Sequence, residues 1–258
     1  MRGILSLLAI LALAACAKGD AEPSAPASPC RQQAFQGTEF TLCDPGKGKL
    51  VLVAAGRKET PLRSFAEVGR RIGFDHVAFA INAGMFGEDG RPIGLAIVDG
   101  KEKHAINRRK GGGNFHLMPN GVFLVRKSGT AEVVATADFA PSPEITMATQ
   151  SGPMLVIAGK LHPAFEADGT SRLIRNGVGV RNGHALFVIA DEPVSFGKFA
   201  RFFRDGLKTP NALFFDGSVS SLWDPANGRQ DASVPLGPMI VALKPAASAP
   251  GRAARARP

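Results

Sequence analysis

One carboxylate and three hydroxyl groups lie close together in the segment LFFDGSVSSL, residues 213–222. The apolar residues before Asp216 are typical of a buried strand, so Asp216 is predicted to lie where a rigid strand meets a loop. Gly217 would let the backbone pass close to a ligand there. A half-buried carboxylate in such a place can act as a base, a nucleophile or a stabiliser of a cation. An Asp-Gly turn without chemistry is the alternative.

Two further segments place polar groups beside an apolar run. The segment NAGMF, residues 82–86, follows HVAFAI, and the Asn82 amide can donate to a phosphoryl or sugar oxygen and accept from a hydroxyl. The segment QSGPML, residues 150–155, leads stiffly into another strand and contributes Ser151 and Gly152. A turn-making Asn is the alternative for Asn82.

The segment NRRKGGGNFH, residues 107–116, combines cations with three consecutive glycines. The N–H groups of Gly112 and Gly113 can converge on an anion, with Asn114 beside them. A flexible loop is the alternative for the glycines. His116 is a possible proton carrier, and an ordinary packed histidine is its alternative.

Two charged residues complete the set. Arg175, in the segment RNGVGV with Asn176 next to it, suits bidentate recognition of a phosphate, with a surface arginine as the alternative. Asp191 follows the apolar run ALFVIA and is the best second carboxylate, unless it only caps the strand end. The chain contains no GxSxG, HExxH, CxxC or Walker segment, which disfavours ordinary esterases, zinc proteases and nucleotidases. No cofactor and no metal site are predicted, and a divalent-metal requirement stays open.

Many short strands and few helices are predicted to position these groups. The pattern indicates one α+β domain, strand-rich with short hairpins and one long amphipathic helix late in the chain. Hairpin turns are expected at Asp99-Gly100 and at Pro119-Asn120-Gly121. A capping box starts a short helix after Ser64. The long helix should span residues 195–207 and bury one stripe of core side chains. The members of that stripe are Phe196, Phe199, Phe203 and Leu207.

The N-terminal region has the layout of an export signal. Residues 1–15 carry Arg2, an apolar run and then small residues, and Leu13-Ala14-Ala15-Cys16 is similar to a bacterial lipobox. We therefore expect a signal peptide at 1–15, an acylated Cys16 and a flexible tether over 16–29 that anchors the protein to a membrane. A plain signal peptide is the alternative. Ala17 after the cysteine favours the outer membrane, and hence a periplasmic lipoprotein.

The body is expected to be disulfide-bonded and moderately basic. Setting Cys16 aside leaves Cys30 and Cys43 as an even pair in an oxidising compartment. The net charge of +9 suits anionic envelope polymers or phosphate-bearing glycans, with a merely solvated basic surface as the alternative. Nucleic acid is a poor partner for an exported chain with one Trp and no Tyr. The folded domain is expected over 30–243 and a disordered basic tail over 244–258.

In order along the chain, NAGMF, GGGNFHLMPNGVF, SGPMLV, RNGVGV and LFFDGSVSSL resemble the phosphodiester glycosidase family. The likeness is to its bacterial branch of periplasmic and lipoprotein members, covers residues 30–243, and includes the early cysteine pair. It implies hydrolysis of a bond between a sugar anomeric carbon and a phosphodiester. The residues that fall on motif positions are Asn82, Gly84, Arg175, Asp216, Gly217 and Ser220.

With this resemblance, Asp216, Asn82 and Arg175 are predicted to be catalytic, with Asn82 positioning the sugar or phosphate. The remaining segment residues are predicted to bind substrate. They are Gly84, Gly112, Gly113, Asn114, His116, Ser151, Gly152, Asn176, Asp191, Gly217 and Ser220. The better-studied branch carries NGGFF and DGGGSS, whereas this chain has Ala83, Met85, Ser218 and Val219, so its substrate can differ. A catalytically silent glycan binder and a phosphodiesterase that cleaves the P–O bond are the alternatives.

Overall fold

A computed structural model describes residues 27–231 and 233–245. The predicted signal peptide, Cys16, residues 16–26 of the tether and the tail from residue 246 lie outside the described residues. The described α-helices are α1, Phe65–Ile72, and α2, Phe196–Arg201, and a π-helical turn, Phe202–Gly206, continues α2. The described strands are β1 Cys30–Phe35, β2 Thr38–Cys43, β3 Leu50–Val53, β4 Val77–Asn82, β5 Ala96–Val98, β6 Lys101–His104, β7 Gly121–Arg126, β8 Ala131–Ala135, β9 Ile145–Ser151, β10 Met154–Ile157, β11 Lys160–Leu161, β12 Asn176–Arg181, β13 His184–Ala190, β14 Asn211–Phe214, β15 Leu222–Asp224, β16 Arg229–Gln230 and β17 Met239–Leu243.

The strands form three antiparallel sheets within one mixed domain. The first sheet has the order β1-β2-β13-β12-β14-β10-β11, the second β16-β15-β4-β17-β3, and the third β6-β5-β9-β7-β8. This confirms a strand-rich mixed domain. Neither of the two α-helices in the described ranges is long and apolar enough to cross a lipid bilayer.

Alternating side chains let the first sheet face two cores. Along β14 and the next residue, Leu213 and Phe215 enter a central core to which all three sheets contribute. Ala212 and Phe214 point the other way, into a second core beneath α2. Because both faces are covered, the strand reads as a continuous apolar run rather than an alternating one. The polar residues that follow are therefore fixed by a strand buried on both sides.

The late helix is present but is not the long amphipathic α-helix that the sequence predicted. Ser195 caps α2 by accepting from the Lys198 N–H at 3.2 Å, and the whole helix is 11 residues long. The Leu207 N–H donates to the Phe202 carbonyl oxygen five residues back, at 2.9 Å. This wider turn buries Phe202 as well as Phe203, a departure from the 3.6-residue period on which the prediction rested.

Two other local predictions are confirmed and a third is wrong. Helix α1 begins after Ser64, whose hydroxyl accepts from the Glu67 N–H, and the Asp99-Gly100 turn joins β5 to β6, as predicted. The hairpin predicted at Pro119-Asn120-Gly121 is wrong. Asn114–His116 forms a 3-10 turn because Phe115 is buried there and its carbonyl accepts from the Asn120 amide at 2.8 Å.

The predicted disulfide between Cys30 and Cys43 is confirmed. The two cysteines are directly opposite each other in the β1–β2 pair. Both are buried and belong to the central core. The bridge thus links the two strands of the first hairpin covalently.

Candidate functional site

Strand ends from all three sheets meet at one place. In the first sheet, the Phe215 N–H donates to the Asn176 carbonyl at 3.0 Å and the Phe214 N–H to the Pro153 carbonyl at 3.1 Å. The second sheet joins them because the Asp216 N–H donates to the Ala83 carbonyl, just beyond β4, at 3.0 Å. Pro153 in turn follows the end of β9, in the third sheet, at Ser151. Four of the five sequence segments therefore converge on the turn that holds Asp216.

A buried amide network holds this turn in place. The Asn82 Nδ2 donates to the Asp216 main-chain oxygen at 2.8 Å. The Asn82 Oδ1 accepts from the Asn176 Nδ2 at 2.9 Å and from the Ser221 N–H at 2.8 Å. The Ser220 hydroxyl donates to the Asn176 Oδ1 at 3.1 Å. The structure thus brings together four predicted residues.

This network gives Asn82 a structural role. The residue is only 1% exposed, and both polar ends of its side chain already bond to the protein. It therefore positions Asp216, and its predicted contact with sugar or phosphate stays a prediction. Asn176 is equally buried, and its amide is bound to Asn82 and Ser220, so it belongs to the same support.

Asp216 is the half-buried carboxylate of the site. Burial raises its pKa, and the hydrogen bond from the Ser218 N–H, 3.1 Å from Oδ1, opposes that rise. Gly217 has no room for a side chain, since an added Cβ would lie 2.4 Å from the Phe214 ring. Gly217 thus makes a close approach to an aromatic ring, and its approach to a ligand stays a prediction. A carboxyl with a raised pKa beside a strand end is suited to acid–base or nucleophilic work.

Arg175 is fully buried, which excludes the surface-arginine alternative. Its Nε donates to the Val194 carbonyl at 2.9 Å and its Nη2 to the Ser171 carbonyl at 3.0 Å. Its Nη1 is buried and has no hydrogen-bond partner among the described residues. Burial lowers the pKa of Arg175 to about 10, which leaves the guanidinium charged at neutral pH. Because two of its three nitrogens are occupied and Nη1 is itself buried, the structure shows no free pair of nitrogens for the fork-like bidentate contact predicted from sequence.

An aromatic column supports this guanidinium, and sequence reasoning missed it. The Arg175 Cζ lies 3.6 Å from the ring centre of Phe196. Phe165 stacks on the other side of Phe196 at 4.9 Å, and His162 stacks on Phe165 at 4.7 Å. The sequence pattern assigns Phe196 to the core stripe, because helical periodicity cannot distinguish a core ring from a ring that packs against a cation. The column holds a buried positive charge by cation–π attraction.

The glycine-rich segment lies at the surface. Gly112 and Gly113 are exposed, a Cβ added at either would meet no atom within 4 Å, and Asn114 is exposed beside them. The His116 Nδ1 lies 2.9 Å from the Arg109 carbonyl, inside its own loop. No described hydrogen bond joins these residues to the Asp216 turn, so their binding of substrate stays a prediction.

Two glycines in the other segments mark close backbone approaches. An added Cβ at Gly84 would lie 2.5 Å from the Gln150 carbonyl, and one at Gly152 would lie 2.5 Å from the Asn120 Cβ. These contacts bring the 82–86, 119–121 and 150–153 segments against one another. Ser151 is fully buried next to Gly152.

Three buried side-chain atoms in the described ranges lack a hydrogen-bond partner: Asn120 Oδ1, Ser151 Oγ and Arg175 Nη1. All three belong to the segments that surround the Asp216 turn. Unpaired buried polar atoms are costly and are rare away from functional sites. Asn120 was read from sequence only as part of a turn, and its buried, unpaired oxygen is visible only in the folded chain.

Asp191 is engaged by other protein groups. Its side chain accepts from the Thr41 hydroxyl at 2.9 Å and forms an ion pair with Arg229 at 2.8 Å. These contacts give it a structural role, and its binding of substrate stays a prediction. Among the described residues, no group of three or more His, Cys, Asp or Glu side chains is arranged to hold a metal ion.

Sequence comparison shows that one family model matches the part of the chain that contains these residues. The sequence model described as phosphodiester glycosidase matches residues 75–241, a range that includes every segment of the site. The uncharacterised protein YigE of Escherichia coli K12 is 36% identical over 148 residues, which are 57% of this chain and 58% of YigE. The chain thus spans less than two thirds of the length of that curated relative.

Structural comparison gives the same architecture at low identity. The catalytic domain of zebrafish N-acetylglucosamine-1-phosphodiester alpha-N-acetylglucosaminidase, solved auto-inhibited by its pro-peptide, is 15% identical with a TM-score of 0.57. The match covers 84% of this chain and 82% of the zebrafish chain. A hypothetical protein from Synechocystis is 15% identical with a TM-score of 0.52, covering 83% of this chain and 61% of its own. These two likenesses show a shared fold.

Proposed function

The chain belongs to the phosphodiester glycosidase family, and from this membership we propose that it hydrolyses glycosyl-1-phosphodiesters. In the reaction, a water oxygen forms a bond to the anomeric carbon, and the bond from that carbon to the phosphate oxygen breaks. The bonding electron pair leaves with the phosphate, so the products are a free sugar and a phosphomonoester. The transition state has oxocarbenium character.

The observation that carries the proposal is that segments meeting at one place contain two groups of opposite charge. Asp216 offers a half-buried carboxylate with a raised pKa, and Arg175 offers a buried cation whose Nη1 has no partner in the described part of the chain. Asp216 would act as base, nucleophile or cation stabiliser at the sugar. Arg175 would stabilise the phosphate through the positive charge of its buried guanidinium.

A single carboxylate suits this leaving group. Ordinary glycosidases need a second carboxyl group to protonate a basic alkoxide, whereas a departing phosphomonoester is weakly basic and needs charge stabilisation instead. The ion pair between Asp191 and Arg229 is consistent with a mechanism that uses one carboxylate. The buried Asn82–Asn176 pair would keep Asp216 fixed through the reaction, since its hydrogen bonds already hold the main chain there.

We place the reaction in the bacterial cell envelope. The lipobox-like Leu13–Cys16 segment supports export, acylation of Cys16 and anchoring in the outer membrane, with residues 30–243 as the catalytic domain. The Cys30–Cys43 bridge suits the oxidising conditions of that compartment. The excess of basic residues suits a phosphate-bearing glycan or another anionic envelope polymer as substrate.

The test is turnover of a panel of sugar-1-phosphodiesters by the full chain, followed as free sugar and phosphomonoester. Asp216→Asn should lose activity, and Asp205→Asn, which removes an exposed carboxylate paired with Arg204, should keep it. Binding without turnover on every substrate would favour the non-catalytic glycan binder. Turnover unchanged in Asp216→Asn would remove Asp216 from the mechanism.

Oxygen-18 water separates the two hydrolytic reactions. Cleavage of the C–O bond places the label on the sugar, as proposed here. Cleavage of the P–O bond places it on the phosphate and would reassign the protein as a phosphodiesterase.

A further inference from the structure

A cleft of about 810 Å³ lies between strand β3 and the β5–β6 hairpin. Its walls also include part of the segment from β3 to α1 and the end of α1. None of the residues of the Asp216 turn or the Arg175 column lines it. A volume of this size falls within the range of ligand-binding sites. Its role is therefore independent of the proposed hydrolysis.

One wall of the cleft is an unpaired strand edge. Strand β3 is the last strand of the second sheet and pairs only with β17 among the described strands. The Leu243 N–H donates to the Lys49 carbonyl at 2.8 Å, which fixes the hydrogen-bonded register. In an antiparallel pair the bonded residues alternate, so the main-chain N–H and C=O groups of Leu50 and Leu52 point away from β17. These groups form a template for one more strand.

The rim of the cleft carries four cations against two carboxylates, those of Glu59 and Asp99, and its floor is apolar. Lys49, Arg71 and Lys101 are exposed and form no ion pair in the described ranges, whereas Lys103 is paired with Glu59. The apolar side chains that line the cleft are only half-buried. They include Val51, Val53, Leu62, Ile72 and Val98.

We propose that the outer edge of β3 binds an extended acidic polypeptide segment by strand addition. The main chain of the segment pairs with Leu50 and Leu52, its acidic side chains meet Lys49, Arg71 and Lys101, and its alternate side chains cover the apolar floor. A second copy of this chain is disfavoured as the occupant because two edges with an excess of cations repel each other. Strand addition also accounts for the outer edge of β3, which is unpaired among the described strands and lies beside cations that form no ion pair there.

The test measures binding of a fluorescein-labelled eight-residue peptide of alternating glutamate and threonine to the full chain, by fluorescence anisotropy. Three probes are compared: this peptide, the same peptide with N-methyl groups on alternate residues, and a lysine–threonine peptide. We expect the parent peptide to bind, the lysine peptide not to bind, and the N-methylated peptide to bind about tenfold more weakly, because it has lost its ladder donors. In amide NMR spectra the parent peptide should shift the Leu50 and Leu52 signals.

Charge variants locate the site. Lys49→Glu/Lys101→Glu should weaken binding about tenfold, whereas Lys160→Glu/Lys208→Glu, a matched pair of exposed lysines outside the cleft, should leave the Kd unchanged. Absence of binding by the parent peptide overturns the proposal. Equal binding of the N-methylated peptide also overturns it and assigns the cleft to polyanions held by charge alone. Binding that appears only after residues 1–26 are removed assigns the edge to that segment instead.

Discussion

The guanidinium of Arg175 rests on the face of Phe196, with Cζ 3.6 Å from the ring centre. This contact joins the residue best suited to stabilise phosphate to a helix that begins 21 residues further along the chain. No described carboxylate pairs with the guanidinium. Its described partners are the Phe196 and Phe214 rings, the carbonyls of Val194 and Ser171, and the Ser171 hydroxyl. A buried cation supported in this way retains its charge for a ligand.

Replacing Phe196 should weaken phosphate binding more than it weakens the fold. Phe196→Leu removes the ring face beneath Arg175 and should raise the Kd for a sugar-1-phosphodiester about tenfold, whereas Phe196→Tyr keeps the ring and should restore it. Isothermal titration measures both. Phe199→Leu is the control, since Phe199 is on the same helix but packs on Phe40 and Phe203. An equal loss of affinity in the control would show that helix packing, and not the cation–π contact, is responsible.

Arg175→Met should separate stability from function. A buried charge without a counter-ion is costly, and an apolar side chain of similar length removes that cost, so the free energy of unfolding should stay level or rise by about 1–3 kcal/mol. Turnover should fall below detection because the phosphate loses its cation. Urea denaturation and the product assay measure the two effects. A variant that unfolds more easily would show that the bonds to Val194 and Ser171 outweigh the cost of burying the charge.

Asp216→Asn should reduce turnover by a factor between about 10² and 10⁴, the usual contribution of a positioned acid–base group. In the unmodified protein the rate should decline as the pH falls through the raised pKa of Asp216, because the reaction as proposed needs the carboxylate. The acid limb of the kcat/KM profile should therefore lie above the ordinary aspartate range. A profile whose acid limb lies within that ordinary range would separate Asp216 from the rate-limiting proton transfer.

The same substitution should stabilise the fold near neutral pH. A folded-state pKa above the unfolded value means that the native fold prefers the protonated form of Asp216. That preference is fully present below the ordinary aspartate pKa and is lost as the pH rises through the raised value. Thermal melts should thus give Asp216→Asn a higher Tm than the unmodified protein at pH 7 and an equal Tm near pH 3. Asp205→Asn should show the opposite sign at pH 7, because the hydrogen bond from Arg204 lowers the pKa of Asp205.

Removing the disulfide should cost stability without changing turnover. Cys30 and Cys43 are separated by 13 positions, and closing a loop of that length restricts the unfolded chain by about 3 kcal/mol. Cys30→Ala/Cys43→Ala should show this loss in urea denaturation while keeping kcat. Hairpin β1–β2 lies at the edge of the first sheet, two strands from β12. A large drop in kcat at a temperature where the variant is folded would falsify the view that the bridge is only structural.

Much of the site was predictable from local sequence. A polar residue directly after an apolar run is delivered by the end of a buried strand, and this rule placed Asp216 and Asn82 correctly at strand ends. The even cysteine pair similarly predicted the Cys30–Cys43 bridge, now confirmed. These predictions succeeded because they depend on residues within a few positions of one another.

The roles of individual side chains depended on distant partners. Asn82 bonds to Asn176, 94 positions away, and Asp191 pairs with Arg229, 38 positions away. No local pattern contains those distances, so the sequence predicted a ligand contact for Asn82 and a chemical role for Asp191 and gave no sign of these partners. The π-helical turn after α2 could not be predicted from local sequence for a related reason. The burial of Phe202 against Phe40 depends on how the helix packs on the sheet beneath it.

Local sequence was enough to predict which residues end the strands, which cysteines pair and which family the motif order resembles, because each depends on short-range order in the chain. Only the folded chain showed that Asn82 supports Asp216, that Phe196 packs against Arg175 and that the outer edge of β3 is unpaired among the described strands. The physical reason is that hydrogen bonds, stacking and strand pairing act over a few ångströms. Only the order of strands within the three sheets brings those groups within that range.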